Sequence, residues 1–299
     1  MPTQGFHGTV GSPRSLSPGS IPPTHHRRAA QPTQPTLDWR PVSARHTVRA
    51  PMIELVDVAK HFGDVRAVDG ISLTVPTGQF FCVLGPNAAG KTTTIKMLVG
   101  LIRPTRGHAR IAGFDIQDQP LEARARLAYV PDFPFLYEKL TPWEFLRFTG
   151  QIFLMDDARI ERSAADLVPR FQLEQWLHKP IENLSHGTRQ RIAIASALLH
   201  DPEVFVIDEP MVGLDPHHAR VVKDTLRERA NRGMTVFLST HQTSVAEEMA
   251  DRVGIIHRGR LIAVGTPAEL HARAGTDGTL ESAFLAITQG VLDESSTPA

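Results

Sequence analysis

The 299-residue chain carries equal numbers of basic and acidic side chains, 32 of each, and is 41% hydrophobic, as in ordinary globular proteins. Its single cysteine, Cys82, excludes a disulfide framework. No apolar run approaches the roughly 18 residues of a membrane span, and no basic stripe with interleaved aromatic residues indicates a nucleic-acid partner.

Residues 1–51 differ in composition from the remainder of the chain. They contain nine of the 23 prolines, six arginines, no lysine and a single acid, Asp38. A segment with so little hydrophobic periodicity cannot offset its loss of conformational entropy, so it is predicted to be a disordered Pro/Arg-rich tail. Its composition also suits a targeting peptide. Alternatively, Met52 is the natural start and the tail is dispensable.

Three early segments are predicted to be short strands. Residues 54–58 and 71–75 alternate between apolar and polar side chains, and residues 108–113 end in a glycine turn. Together they indicate an antiparallel sheet appended to the core of the fold.

The segment after the apolar run 79–84 has the form G-x-x-x-x-G-K-[ST], the phosphate-binding P-loop. Apolar residues at helical spacing follow it, so the motif lies between a buried strand and a helix, as it requires. N–H groups at the start of that helix lack intrahelical acceptors and can bind nucleotide phosphates. Lys91 is expected to reach the β- and γ-phosphates, and Thr92 to ligate Mg²⁺. The predicted nucleotide-binding residues are Gly85, Pro86, Asn87, Ala88, Ala89, Gly90, Lys91, Thr92 and Thr93.

The sequence from about residue 133 to residue 186 favours helices and contains no strand runs. Thr141 and Pro142 suit the cap and the first position of one of these helices. From residue 187 to residue 257, helices alternate with apolar strands, which is typical of a parallel sheet covered on both faces. The predicted fold class is therefore α/β: a P-loop NTPase core with a parallel sheet, an N-terminal antiparallel β subdomain and an inserted α-helical subdomain.

Two acidic residues, Asp208 and Glu209, directly follow the apolar strand 204–207. Carboxylates at the end of a buried strand are costly unless they face a cation or water. With a P-loop in the same chain, Asp208 is predicted to hold Mg²⁺ directly or through water. Glu209 would then be the general base that orients the attacking water. A solvated turn at 208–210 is the less favoured interpretation.

Three motifs resemble those of the ATP-binding cassette (ABC) ATPases. One segment resembles the family's Walker B motif and D-loop: Asp208-Glu209-Pro210-Met211-Val212-Gly213-Leu214-Asp215-Pro216. The family signature, usually Leu-Ser-Gly-Gly-Gln, is similar to Leu184-Ser185-His186-Gly187-Thr188-Arg189-Gln190. The family's switch histidine has its counterpart in Ser239-Thr240-His241. The resemblance extends from about residue 53 to residue 288, and the motifs follow the family's order.

This resemblance implies further roles for individual residues. His241 would contact the γ-phosphate and help to fix Glu209, and Phe62 would stack on the adenine ring. Ser185 and Gly187 would serve the ATP that a second ABC subunit holds. ATP would therefore close a head-to-tail dimer, with either a second copy or a different ABC chain.

Four residues depart from the family's pattern. His186 and Thr188 replace a glycine and a glutamine of the signature, so affinity or dimer closure would be altered. Asp132 stands where Gln is usual; it would meet Mg²⁺ or water, and its charge suggests a subfamily similar to drug exporters. Ala88 replaces a glycine. If its position needs a positive φ, alanine costs on the order of 1 kcal/mol, and Ala88→Gly would tighten nucleotide binding.

The chain is thus expected to be an ATPase, with its domain at 52–288 and a flexible C-terminus at 289–299. ATP and Mg²⁺ would be its cofactors, and it would energise export through a multi-span permease, peripherally at the cytoplasmic face of the membrane. Two alternatives stay open: a soluble, non-transport ABC ATPase, or a regulatory nucleotide-binding subunit with weak hydrolysis. A P-loop kinase is disfavoured because it would leave the signature and D-loop unexplained.

Overall fold

The computed structural model describes residues 51–275 and 278–296, with side chains described as far as residue 289. The strands are β1 (Pro51–Phe62), β2 (Val65–Pro76), β3 (Phe80–Leu84), β4 (Arg106–Ile111), β5 (Phe114–Asp115), β6 (Leu127–Val130), β7 (Val204–Asp208), β8 (Thr235–Thr240), β9 (Arg252–His257) and β10 (Arg260–Gly265). The α-helices are α1 (Lys91–Leu98), α2 (Pro120–Arg124), α3 (Pro142–Ile152), α4 (Asp157–Arg170), α5 (His186–Leu198), α6 (Pro216–Asn231), α7 (Thr243–Met249), α8 (Pro267–Ala274) and α9 (Leu280–Ser296). The predicted tail lies outside the described residues, apart from Pro51.

The core is a six-stranded sheet in the order β10-β9-β3-β8-β7-β6. Neighbouring strands from β9 to β6 are parallel, and β10 pairs antiparallel with β9 at the edge. Every residue of β3, β7 and β8 is buried, as expected for strands of a parallel sheet that is covered on both faces. Because these strands are parallel, the residues that follow them meet at one edge of the sheet, where α/β folds bind ligands.

The second sheet has four strands in the order β2-β1-β4-β5, all antiparallel. β1 and β2 form a hairpin in which Leu55 pairs with Leu73 and Ile53 with Val75. These apolar side chains are buried together with residues of α1 and β3. The appended antiparallel sheet that the sequence predicted is therefore confirmed, and it packs beside the P-loop unit.

Between β6 and β7 lie α3 and α4, then 3-10 turns at Glu174–Trp176 and Ile181–Asn183, and finally α5. α3 begins with a capping box: Thr141 Oγ1 accepts from the Glu144 N–H (3.3 Å), and Glu144 Oε2 accepts from the Thr141 N–H (2.8 Å). The predicted start of this helix at Thr141 and Pro142 is confirmed. Helices therefore occupy the segment that the sequence predicted to be helical.

Some elements differ from the sequence-based expectation. β6, β10 and α8 were not predicted, although Thr266 and Glu269 form a capping box at the start of α8. A flexible C-terminus is predicted from residue 289, yet α9 continues to Ser296, since no proline interrupts it. Within the described part of the chain, no helix has the length and apolar character that a bilayer crossing requires.

Candidate nucleotide-binding site

The predicted P-loop is the connection between β3 and α1. α1 begins at Lys91, and Gly90 precedes it with a φ of 106°, a conformation that L-residues rarely adopt. Gly85 is required for a different reason, because a Cβ there would lie 2.4 Å from the carbonyl oxygen of Ile256 in β9. The two glycines therefore let the loop turn into the helix and approach the neighbouring strand.

Ala88, at the tip of the P-loop, has a φ of 63°. This is the left-handed region, where the Cβ of an L-residue crowds the following carbonyl and costs about 1–2 kcal/mol relative to glycine. Strain was expected at Ala88 if its φ was positive, and the φ is positive. Ala88 is exposed, whereas the adjacent Ala89 is 3% exposed and packed in the core.

Ala88→Gly is expected to raise the melting temperature, because about 1 kcal/mol of backbone strain is relieved. It should tighten nucleotide binding by the part of that strain that increases when the loop closes on the phosphates, at most about fivefold. Differential scanning fluorimetry and titration with a fluorescent ATP analogue measure the two effects. Ala89→Gly is the matched control: it removes a buried methyl group without relieving strain, so it should lower the melting temperature. Unchanged stability and affinity in Ala88→Gly would contradict the strain.

Lys91 is 6% exposed, and its ammonium lies inside the P-loop. Nζ donates to the carbonyl oxygens of Gly85 (2.7 Å) and Pro86 (3.1 Å), and it lies 3.9 Å from Glu209 Oε1. Burial lowers the pKa of Lys91, while the nearby carboxylates act in the opposite direction. A partly desolvated ammonium at the bottom of an open loop is suited to bind an anion.

Asp208 ends β7 and is 1% exposed. Its Oδ2 accepts a hydrogen bond from Thr92 Oγ1 at 2.8 Å, whereas Oδ1 is buried and has no hydrogen-bond partner among the described groups. Desolvation is the main cause that raises the pKa of Asp208. The Ser239 and Thr92 hydroxyls act in the opposite direction, and the charges of Asp132 and Glu209 add to the rise. Asp208 Oδ1 and the neighbouring hydroxyl oxygen of Thr92 are therefore two oxygen atoms that could bind a hard cation.

Glu209 is held in place by the end of β8. Its Oε1 lies 2.8 Å from His241 Nδ1, its Oε2 accepts from Thr240 Oγ1 at 3.0 Å, and its N–H donates to the Ser239 carbonyl at 2.9 Å. The backbone at Glu209 has a φ of 47°, an uncommon conformation that such contacts maintain. The carboxylate is therefore fixed opposite Lys91 and can orient a water molecule.

These groups surround a cleft of about 490 Å³. The predicted site residues that line it are Pro86, Asn87, Ala88, Ala89, Gly90, Lys91, Thr92, Thr93, Asp132, Asp208 and Glu209. Five further residues line the cleft without having been predicted from the sequence: Val65, Arg66, Ala67, Arg258 and Gly259. They come from the start of β2 and from the turn between β9 and β10. No sequence motif marks them, because only sheet pairing and loop packing bring them to the P-loop.

Other predicted site residues lie outside the described lining of the cleft. Phe62, at the end of β1, is 52% exposed, and Lys60 Nζ lies 5.2 Å from its ring centre. His241 contacts Glu209 rather than the cleft itself. Gly85 lies behind the loop, against β9.

The signature segment forms the start of α5, away from the cleft of its own chain. Ser185 Oγ accepts from the Thr188 N–H at 3.3 Å and caps the helix, while its own side chain is exposed. The exposed His186 packs over Gly213 of the D-loop, where an added Cβ would lie 2.2 Å from the imidazole ring. A Cβ at Gly187 would lie 2.8 Å from the Gly213 carbonyl oxygen. The two motifs thus form one surface, and the absence of a side chain at Gly213 accommodates His186.

The chain is similar in sequence to known proteins. Residues 68–212 match the family model described as ABC transporter. The linearmycin resistance ATP-binding protein LnrL of Bacillus subtilis (strain 168) is 34% identical over 241 residues, which cover 81% of this chain and 78% of that protein. The chain belongs to the ABC transporter ATP-binding family.

This ABC protein is also 37% identical, over 225 residues, to the daunorubicin/doxorubicin resistance ATP-binding protein DrrA of Streptomyces peucetius, covering 75% of this chain and 68% of that one. A solved structure described as the ATP binding subunit of an ABC transporter superimposes with a TM-score of 0.76 at 32% identity, over 79% of this chain and 99% of that chain. The P-loop NTPase fold is therefore confirmed. As a family member, the protein is an ATPase that binds ATP and hydrolyses it to drive transport.

Proposed function

We propose that this ABC protein energises export by hydrolysing Mg-ATP at the cytoplasmic face of a membrane, bound to a separate multi-span permease. The observation that carries the proposal is the position of Glu209, whose carboxylate is held by His241 and Thr240 and lies 3.9 Å from Lys91 Nζ. A phosphate bound at Lys91 would face this carboxylate. The names of three relatives support export: two are drug-resistance proteins, and one is the Nod factor export ATP-binding protein I of Rhizobium meliloti.

The residues that the sequence predicted for this site each have a role in the proposed reaction. Lys91 and the loop N–H groups neutralise the charge that develops on the transferring phosphoryl group. Glu209 orients the attacking water as general base, and His241 holds Glu209 and contacts the γ-phosphate. Phe62 stacks on adenine, for which its exposed face at the end of β1 is available.

Mg²⁺ fits the oxygen atoms that the chain offers at the cleft. Thr92 Oγ1 and the buried Oδ1 of Asp208 would hold the ion, and Asp132 would reach it through water. No cluster of three or more His, Cys, Asp and Glu side chains among the described residues could bind a metal without other ligands. Phosphate oxygens would complete the coordination, which is the usual mode for Mg²⁺. The bound ion would neutralise charge on the phosphates.

A second ABC subunit would complete the site. Ser185 and Gly187 lie away from the cleft of their own chain, at the start of the 13-residue α5, and Ser185 is exposed. Their hydroxyl and N–H groups at the helix start would contact the nucleotide that the partner holds. The partner is either a second copy of this chain or a different ABC chain.

A groove beside the helical segment supports a permease partner. It has a volume of about 190 Å³, and β6, α3 and α5 contribute to its lining. Phe135 lines it while remaining 94% exposed, and the nearby Tyr137 is 59% exposed. Large exposed aromatic side chains mark a surface that a partner covers. Residues 131–135 line both sites, because Pro131, Pro134 and Phe135 line the groove and Asp132 lines the nucleotide cleft. A partner that moved this segment would therefore also move Asp132 at the nucleotide.

Steady-state ATP hydrolysis, with and without membranes that hold a co-expressed permease, tests the proposal. The expected result is Mg-dependent hydrolysis that the permease membranes stimulate, together with co-purification of a multi-span protein. A regulatory subunit would bind ATP but hydrolyse very little under either condition. A non-transport ATPase would hydrolyse ATP at the same rate whether or not the membranes are present.

A further inference from the structure

Two arginines that line the nucleotide cleft have no role in the proposed reaction. Arg66 lies at the start of β2, and Arg258 lies in the turn between β9 and β10. Among residues 51–275 and 278–289, no ion pair or hydrogen bond engages either guanidinium group. Arg260 is the main cause that lowers the pKa of Asp69 and Arg66 a lesser one, but Asp69 already binds Arg260 at 2.7 Å. Both arginine charges are therefore available to a ligand.

The backbone fixes the turn that carries Arg258 against the P-loop. Arg258 and Gly259 have positive φ values of 47° and 78°, the geometry of a tight hairpin turn. The Gly259 N–H donates to the Ala89 carbonyl at 2.8 Å, and the Gly259 carbonyl accepts from the Asp69 N–H at 2.8 Å. These backbone contacts fix the turn beside the loop, and the exposed side chain of Arg258 lines the cleft from there.

The start of β2 meets the same part of the loop. A Cβ at Gly90 would lie 2.6 Å from the carbonyl oxygen of Ala67 and 3.3 Å from the Cα of Gly259. Arg66 is adjacent to Ala67 in the chain. β2 and the β9–β10 turn thus meet the P-loop at Ala89 and Gly90. Arg66 and Arg258 line the cleft from these two elements.

The acidic residues lie around the first turn of α1. Asp208 is bonded to Thr92, and Glu209 lies beside Lys91, so the hydrolytic groups gather where α1 begins. Six ionisable residues line the cleft, three of them acids, and two of its three cations are Arg66 and Arg258. The charge of the cleft is therefore divided, with the reacting end acidic around one lysine and the other end basic.

We propose that Arg66 and Arg258 bind the nucleotide at its α-phosphate side and set its affinity, whereas Lys91 and Glu209 act at the γ-phosphate. This rests on the proposed function, in which P-loop amides cradle the inner phosphates and Lys91 reaches the outer ones. Charge at the α-phosphate does not change when the γ-phosphoryl group is transferred. The two arginines therefore bind ground state and transition state equally, which lowers KM without raising kcat.

The test compares Arg66→Gln, Arg258→Gln and the double variant with the unaltered protein, using MgATP, MgADP and adenosine as probes. Each single variant is expected to weaken MgATP and MgADP binding by the same factor, about threefold to tenfold, as for a charge-assisted contact that water partly screens. The double variant should weaken binding by about the product of the two factors. Adenosine affinity should not change. KM should rise with the dissociation constant, while kcat stays within about twofold.

Arg258→Lys and Arg232→Gln serve as controls. Lysine keeps the charge and should recover part of the affinity. Arg232 follows α6 and precedes β8, so it lies at the amino end of that strand, whereas the cleft lies at the carboxyl ends of the strands; Arg232→Gln should therefore have no effect. Melting temperatures of all variants separate misfolding from lost binding. Unchanged nucleotide affinity, or a loss of kcat at unchanged KM, would overturn the inference. If the unaltered protein failed to bind MgATP, the proposed function itself would be wrong.

Discussion

Glu209→Gln is expected to lower ATP turnover by at least about a hundredfold while ATP binding survives, because glutamine keeps the shape but cannot accept the proton of the attacking water. Its amide can still bond to Thr240 and His241, which now hold the carboxylate at 3.0 and 2.8 Å. The nucleotide contacts at Lys91 and the P-loop are not altered. Single-turnover hydrolysis of labelled ATP, together with a binding titration, measures both quantities.

The same variant should accumulate as an ATP-bound dimer, because the nucleotide that closes the two subunits is no longer consumed. Size-exclusion chromatography with light scattering should then show a doubled mass in ATP and the monomer mass in ADP. His241→Ala provides a graded comparison: it removes one support of Glu209 and leaves the base itself, so its turnover should fall less. Hydrolysis by Glu209→Gln at a rate near that of the unaltered protein would exclude Glu209 as the base.

The parts of the site that the sequence predicted are those whose residues are contiguous in the chain. A strand, a glycine-bounded loop and a lysine at the start of a helix specify the P-loop within about fifteen residues, and local geometry then places Lys91. The apolar strand that ends in Asp208 and Glu209 is equally local. Because both strands belong to one parallel sheet, their carboxyl ends meet, and a sequence pattern is sufficient to bring the two motifs together.

Arg258 shows why the remainder could not be predicted. In the sequence it is one residue of a short turn between two strands, indistinguishable from a solvent-exposed hairpin tip. It reaches the cleft only because β9 pairs with β3, the strand that feeds the P-loop, and because Gly259 donates to Ala89. These contacts join residues that are far apart in the chain, and no local signal in either segment announces them.

Ala88 could be predicted only in part from the sequence. The motif gave its position, and the comparison with the usual glycine raised the possibility of strain, but the φ of 63° depends on how the loop packs. β6 was missed for a related reason: its four residues are too short for a periodic pattern, and only their pairing with β7 identifies them as a strand.

Mixing two inactive variants is expected to restore activity if two copies of this chain share each nucleotide site. Lys91→Ala removes the cation that binds the outer phosphates, and Ser185→Arg places a bulky side chain where the partner's nucleotide would contact α5. Each homodimer then has two defective sites, so each variant alone should be inactive. In a mixed dimer, the intact P-loop of one subunit faces the intact signature of the other.

Random assortment makes half of the dimers mixed, and each mixed dimer has one intact site of two, so an equimolar mixture should recover about a quarter of the original rate. Titrating one variant into the other at constant total protein should give a maximum at equal amounts. Ser185→Arg also removes the cap of α5, so its melting temperature must show that it folds; Ser185→Ala, which loses the cap without adding bulk, controls for this. A mixture as inactive as its components, made from folded variants, would exclude a site shared between two copies. That result would leave a different ABC chain as the partner, because the exposed Ser185 cannot serve the cleft of its own subunit.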